Sequence, residues 1–149
     1  MRENNDAAQA ERLSSQRARM LVILGVIFIV QQAVFFGSAD FSDRAVDHVR
    51  VSAWLVLSIV LLLALTTGGG WIYPRRVRAL ANDESTRANR DQAFRVGFIV
   101  TMLAGIGLYF YSMFEPLGGR AAIHLIMSAG LVATLFRFAS LERRAQADG

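Results

Sequence analysis

Residues 71–95, with the sequence WIYPRRVRALANDESTRANRDQAFR, divide this chain into two halves of similar character. Two apolar runs precede this segment and two follow it, and it holds six of the sixteen basic residues. It also holds the densest cluster of Asn, Asp, Glu, Ser and Thr in the chain. A polar, Arg-rich segment between two pairs of apolar runs is typical of a helical membrane protein.

The apolar runs are long enough to cross a bilayer as helices. Even the shortest runs, coiled at about 1.5 Å per residue, cover about 27 Å, close to the thickness of the hydrocarbon core. The small residues at 37–39 are suitable for signal-peptide cleavage. However, the polar segment of nearly twenty residues before the first apolar run favours a transmembrane helix that is not cleaved. The sequence therefore predicts an all-α membrane protein with four transmembrane helices in an antiparallel bundle. The predicted segments are a polar tail at 1–19, spans at about 20–37, 51–73, 94–114 and 121–138, a loop at 74–93 and a second tail at 139–149.

Arginine is distributed unevenly between the two sides of this predicted bundle. Thirteen of the sixteen Arg residues fall on the side that carries both tails and the loop, and three fall on the other side. The positive-inside rule therefore predicts that both termini and the loop at 74–93 are cytoplasmic. Basic residues beside apolar spans suit lipid headgroups, so we expect the partner to be the bilayer and not a nucleic acid.

Small residues recur along the third run and predict how the helices pack. Ala93, Gly97, Thr101 and Gly105 are spaced four apart and form one small-residue face. Such a face lets helix backbones approach closely inside the bundle, and it is also a possible homo-oligomer contact. In the first run, the amides of Gln31 and Gln32 suggest hydrogen bonds that tie helices together.

Few residues offer chemistry inside the membrane. The chain has no Cys, and the four apolar runs contain no Asp or Glu. Thiol chemistry is therefore excluded, and proton-coupled transport, which usually requires an embedded carboxylate, is disfavoured. We expect no enzymatic activity, no metal and no cofactor, and a small channel or transporter is the alternative.

The two histidines are the one pair that suggests a cofactor. His48 precedes the second span and His124 lies four residues into the fourth, so both are expected near the outer membrane edge. Two imidazoles at similar depth could hold a haem or a metal, which leaves a haem- or quinone-binding redox module as a further alternative function. The plainer interpretation is that His48 is solvated and that His124 bonds to Glu115 or Ser128.

The polar residues 82–89 predict where the third helix begins. Asn82 or Asp83 is a suitable N-cap, and acidic residues then fall in the first turn, so we expect a helix from about Asp83 to Phe114. A partner-binding surface is predicted on the same segment. Its candidate residues are Asp83, Glu84, Thr86 and Asn89. The oxygens of Asp83, Glu84 and Asn89 are also suited to a cation.

The run NDESTRAN at 82–89 resembles an element found in small bacterial four-helix inner-membrane proteins of unknown function. In that group an acidic Asp-Glu-x-Thr-like element stands just ahead of the third helix. The resemblance implies a multi-pass protein of the bacterial inner, or plasma, membrane and attaches no reaction to it. We therefore expect a non-enzymatic accessory or regulatory subunit that acts by interaction.

Overall fold

The chain is all-helical in the part that the structure, a computed structural model, describes: residues 16, 19–33, 44–67 and 84–147. A link at 112–118 joins the last two helices. The four helices are α1 (Arg19–Ala33), α2 (Arg44–Thr67), α3 (Glu84–Tyr111) and α4 (Gly119–Ala147).

Three of these helices are long and apolar enough to cross a membrane, namely α2, α3 and α4. Helix α1 is apolar but shorter in its described part, and residues 34–37 of the predicted first span lie outside the described residues. Three of the four predicted spans are thus confirmed as helices that are long and apolar enough to cross a membrane.

Helix α2 begins earlier than the sequence indicated. Residues 44–50 precede the predicted second span at 51–73, and they form the first two turns of α2. This segment is polar, but it contains no Gly or Pro to interrupt a helix. Residues 68–73 of the predicted second span are outside the described residues.

Helix α3 begins where the sequence predicted and ends a little early. It starts at Glu84, ten residues before the apolar span, and this confirms the predicted extension. At the other end, the amides of Met113 and Phe114 bond to carbonyls three residues back, at 3.1 and 3.0 Å. This tighter winding precedes Pro116, whose ring disfavours α-helical geometry in the residue before it.

Helix α4 contacts each of the other three helices. It runs antiparallel to α1, because Gln32 meets His124 while Gly25 lies against Leu135. Trp54 of α2 contacts the same part of α4 as Gln32 does. The most extensive helix contact is between α4 and α3.

The contact between α3 and α4 uses the predicted small-residue face. Gly97 packs against Thr134, and a Cβ added at Gly97 would lie 3.1 Å from the Gly130 carbonyl oxygen while overlapping the Thr134 hydroxyl. Gly130 in turn packs against Thr101. Close approach at these positions requires glycine on both helices, as in other membrane helix pairs with small-residue seams.

The apolar core follows the side of α4 that meets α1 and α2. Large apolar residues on the opposite sides of the helices, such as Phe98, Leu103 and Ile123, are more than half exposed, as expected for surfaces in contact with lipid. The buried core consists of Leu21, Phe28, Trp54, Leu61, Leu65, Ala93, Leu135, Phe138 and Ala139.

Candidate functional site

The polar ends of α3 and α4 lie side by side and form a projection, which we define as residues 84–95 and 141–147. These helices have 28 and 29 residues. At about 1.5 Å per residue each exceeds 40 Å, more than the roughly 30 Å hydrocarbon core. Because α3 and α4 are antiparallel, the polar start of one and the polar end of the other lie on the same side.

The interior of the projection is packed and its outer surface is charged. Thr86 and Glu142 are buried, at 6% and 4% exposure, although both side chains are polar. The exposed charged side chains carry both signs; they are Glu84, Arg87, Asp91, Arg95, Arg143 and Arg144. A packed interior under a charged surface makes the projection a continuation of the bundle.

The predicted partner-binding residues do not form one continuous exposed patch. Asp83 lies outside the described residues, Glu84 is exposed and Asn89 is half-buried. Thr86 is buried because it shares a helix face with Ala93 and Gly97, which pack against α4. The charged side chains of Arg87 and Asp91, which were not among the predicted residues, are exposed on the same part of α3.

Arg90 connects the base of the projection to α2. Its Nη1 donates a hydrogen bond to the carbonyl oxygen of Thr66 at 2.9 Å. Thr66 is in the last turn of α2, where backbone carbonyls have no partner within the helix. The guanidinium therefore supplies a donor to a carbonyl at the end of α2.

A second polar group lies inside the bundle around His124. This imidazole is 4% exposed and stacks on the Trp54 indole, with ring centroids 4.3 Å apart. Its Nε2 is hydrogen-bonded to Oε1 of Gln32, and the indole Nε1 of Trp54 donates to Ser128 Oγ at 3.3 Å. These four side chains come from α1, α2 and α4, so the polar contacts link three helices.

His48 does not share this location with His124. It is exposed on α2, six residues before Trp54, and six residues at 100° each turn it to a different side of that helix. Glu115, a partner considered for His124, accepts a hydrogen bond from the Tyr111 hydroxyl at 3.3 Å. The part of the chain that the structure describes has no group of three or more His, Cys, Asp or Glu able to hold a metal.

The sequence did not predict the roles of two residues in these sites, Glu142 and Trp54. Glu142 was predicted to lie in the polar tail at 139–149, yet its side chain is buried near the end of α4. Trp54 was counted as one more apolar residue of the second span. Seven-residue spacing from Thr86 to Ala93 could have indicated the packed face of α3, but no local pattern marks Glu142 or Trp54.

No family model, characterised protein or solved structure matches this chain. Its function is therefore inferred from its own residues and geometry.

Proposed function

We propose that this protein is a non-enzymatic accessory or regulatory subunit of the bacterial inner membrane, which binds a protein partner through the projection. All four helices cross the membrane in this proposal, and both termini and the projection are cytoplasmic. The observation that carries it is the charged two-helix projection, which continues beyond the apolar parts of α3 and α4.

The projection has the properties of a preorganised binding surface. Its backbone is helical throughout the described part, and the buried Thr86 and Glu142 lie inside it. A partner that binds there would order little backbone, so less of the interaction energy is lost as conformational entropy. Exposed Glu84, Arg87 and Asp91 offer charges of both signs for charge-assisted hydrogen bonds.

The mixture of charges favours a protein partner over a membrane surface at this place. A surface that binds anionic headgroups is usually a cluster of basic residues alone. Here acidic Glu84 and Asp91 alternate with Arg87 along the exposed side of α3. The excess of Arg on this side of the bundle supports the cytoplasmic location.

Site-specific photo-crosslinking tests the proposal. A photoreactive residue replacing Arg87, on the projection, is compared with one replacing Phe110, which is exposed near the other end of α3. We expect a protein adduct from position 87 and none of the same mass from position 110. The adduct should disappear in the variant that combines Asp83→Ala with Glu84→Ala, while thermal unfolding shifts little because an exposed cap contributes only about 1 kcal/mol.

The control is Glu115→Ala in the link on the opposite side, where the carboxylate is also exposed. Adducts that persist in the Asp83 and Glu84 variant, or crosslinks from position 87 to lipid alone, would contradict the proposal.

A further inference from the structure

A cleft opens towards the membrane between α2, α3 and α4. Its volume is about 360 Å³, within the range of sites that hold small molecules. Small residues of the α3–α4 seam, Gly97 and Gly130, line it, and exposed apolar side chains surround it, including Leu62, Phe98 and Met127. A helix is about 10 Å wide with its side chains, so the cleft suits a flexible chain better than another helix.

Three side chains with hydroxyl groups line the cleft, and they differ in their hydrogen bonds. Thr101 and Thr134 each donate to a carbonyl oxygen of their own helix, Gly97 and Gly130 respectively, at 2.8 Å. Ser58 is 4% exposed and its Oγ has no hydrogen-bond partner. The cleft is therefore mainly apolar and contains one hydroxyl that has no hydrogen-bond partner.

A cation marks one end of the cleft. Phe94 and Leu62 line that end, and one turn beyond them Arg90 and Thr66 are joined by the hydrogen bond described above. The Arg90 side chain is half-buried, and this bond uses one of the five N–H donors of a guanidinium. Arginine is well suited to phosphate because its planar donors can bind two oxygens at once.

We propose that the cleft binds one anionic phospholipid, with an acyl chain between α2, α3 and α4 and the phosphate on Arg90. The apolar walls match the chain, the position of the guanidinium matches the charge, and the opening towards the bilayer gives a lipid direct access. This site is separate from the exposed charged side of the projection, so it stands or falls independently of the proposed partner.

Native mass spectrometry of the full-length protein in mild detergent, titrated with phosphatidylglycerol, tests this site. We expect one bound phosphatidylglycerol per chain and at least tenfold weaker binding of phosphatidylcholine. Arg90→Gln should weaken phosphatidylglycerol binding at least tenfold, because the amide carries no charge for the phosphate. Met127→Trp should weaken binding of both lipids, because the larger side chain occupies the opening of the cleft.

Matched controls separate this site from general effects of substitution. Arg87→Gln removes an exposed charge one turn from Arg90, and Ile123→Trp enlarges an exposed apolar residue one turn from Met127; neither residue lines the cleft. Both should bind lipid as the wild type does. Equal affinity for the two lipids, equal losses in the controls, or a second protein chain in place of the lipid would each overturn the proposal. If Arg90→Gln fails to fold, Met127→Trp decides alone.

Discussion

His124 and Gln32 form a polar pair between α4 and α1, in a part of the molecule where most neighbouring side chains are apolar. Polar side chains inside a membrane bundle have few alternative partners, so they favour the arrangement that pairs them. Trp54 adds a stacked ring and a hydrogen bond from α2. We interpret this group as a junction that fixes α1 and α2 on α4.

A double-mutant cycle measures the strength of the pair. We expect His124→Ala and Gln32→Ala to be coupled by about 0.6–1.7 kcal/mol, the range found for hydrogen bonds inside membrane bundles. The measurement is the free energy of unfolding in mixed micelles titrated with sodium dodecyl sulfate. His48→Ala is the control; because His48 is exposed, its effect should stay within about 0.5 kcal/mol. Independent, additive effects of the first two substitutions would show that the pair is not formed.

Trp54→Phe separates the hydrogen bond of the indole from its ring contact. Phenylalanine can still stack on His124, but it cannot donate to Ser128, so the free energy of unfolding should fall by about 1 kcal/mol. Ser128→Ala should produce a similar loss, and the two substitutions together should cost little more than either alone. A fully additive double variant would contradict the bond.

For single residues, the sequence predicted a role in helix contacts more reliably than it predicted the partner side chain. The apolar run around Gln32 made an interhelical role for its amide predictable, and the structure confirms it. Its pairing with His124 could not be predicted, because the two residues are distant in sequence and meet only through the packing of α1 on α4. Likewise, Thr86 was judged by its polarity, whereas its burial depends on which side of α3 faces α4.

Among the elements, α3 and α4 depend on close contact between two glycines and two threonines. Gly97→Leu should destabilise the fold by about 1–3 kcal/mol, because the added side chain meets Thr134 and the backbone of Gly130. Gly107→Leu on the same helix is the matched control, since a Cβ at Gly107 meets nothing within 4 Å. The free energies of unfolding of the two variants should differ clearly. Equal values would mean that the seam does not form.

The same seam bears on the predicted homo-oligomer contact. Gly97 is buried against α4 within the chain, and Ala93, one turn away on the same face, is buried as well. Thr101 and Gly105 are half-buried. The spacing of small residues predicted a packed face correctly; it could not identify the neighbour, because backbone approach is favoured equally within and between chains.

Element boundaries were predictable where a local signal fixes them. Capping residues and acidic residues of the first turn placed the start of α3 within one residue of Glu84. The start of α2 was not predicted because the polar residues 44–50 were not counted with the second span, although Asp43, just before them, is also an N-cap type of residue.

At the scale of the whole molecule, the described helices form a bundle in which α4 contacts the other three and one end is charged. Hydropathy was sufficient to predict the helical membrane class, since long apolar runs have few other stable structures. Because α3 and α4 are antiparallel, the projection lies at one end of this helix pair and the link at 112–118 lies at the other end.

Thiol labelling in intact cells tests the membrane-spanning bundle and its orientation, because the chain has no Cys and every introduced thiol is unique. Ala88→Cys and Ala145→Cys lie at exposed positions of the projection, and Gly118→Cys lies at an exposed position of the link. With a membrane-impermeant maleimide, we predict labelling at position 118 in intact cells, and at positions 88 and 145 only after the membrane is permeabilised. Labelling of positions 88 and 145 in intact cells, with position 118 protected, would contradict the proposed orientation and the cytoplasmic docking surface. Labelling of all three would contradict the membrane-spanning bundle itself.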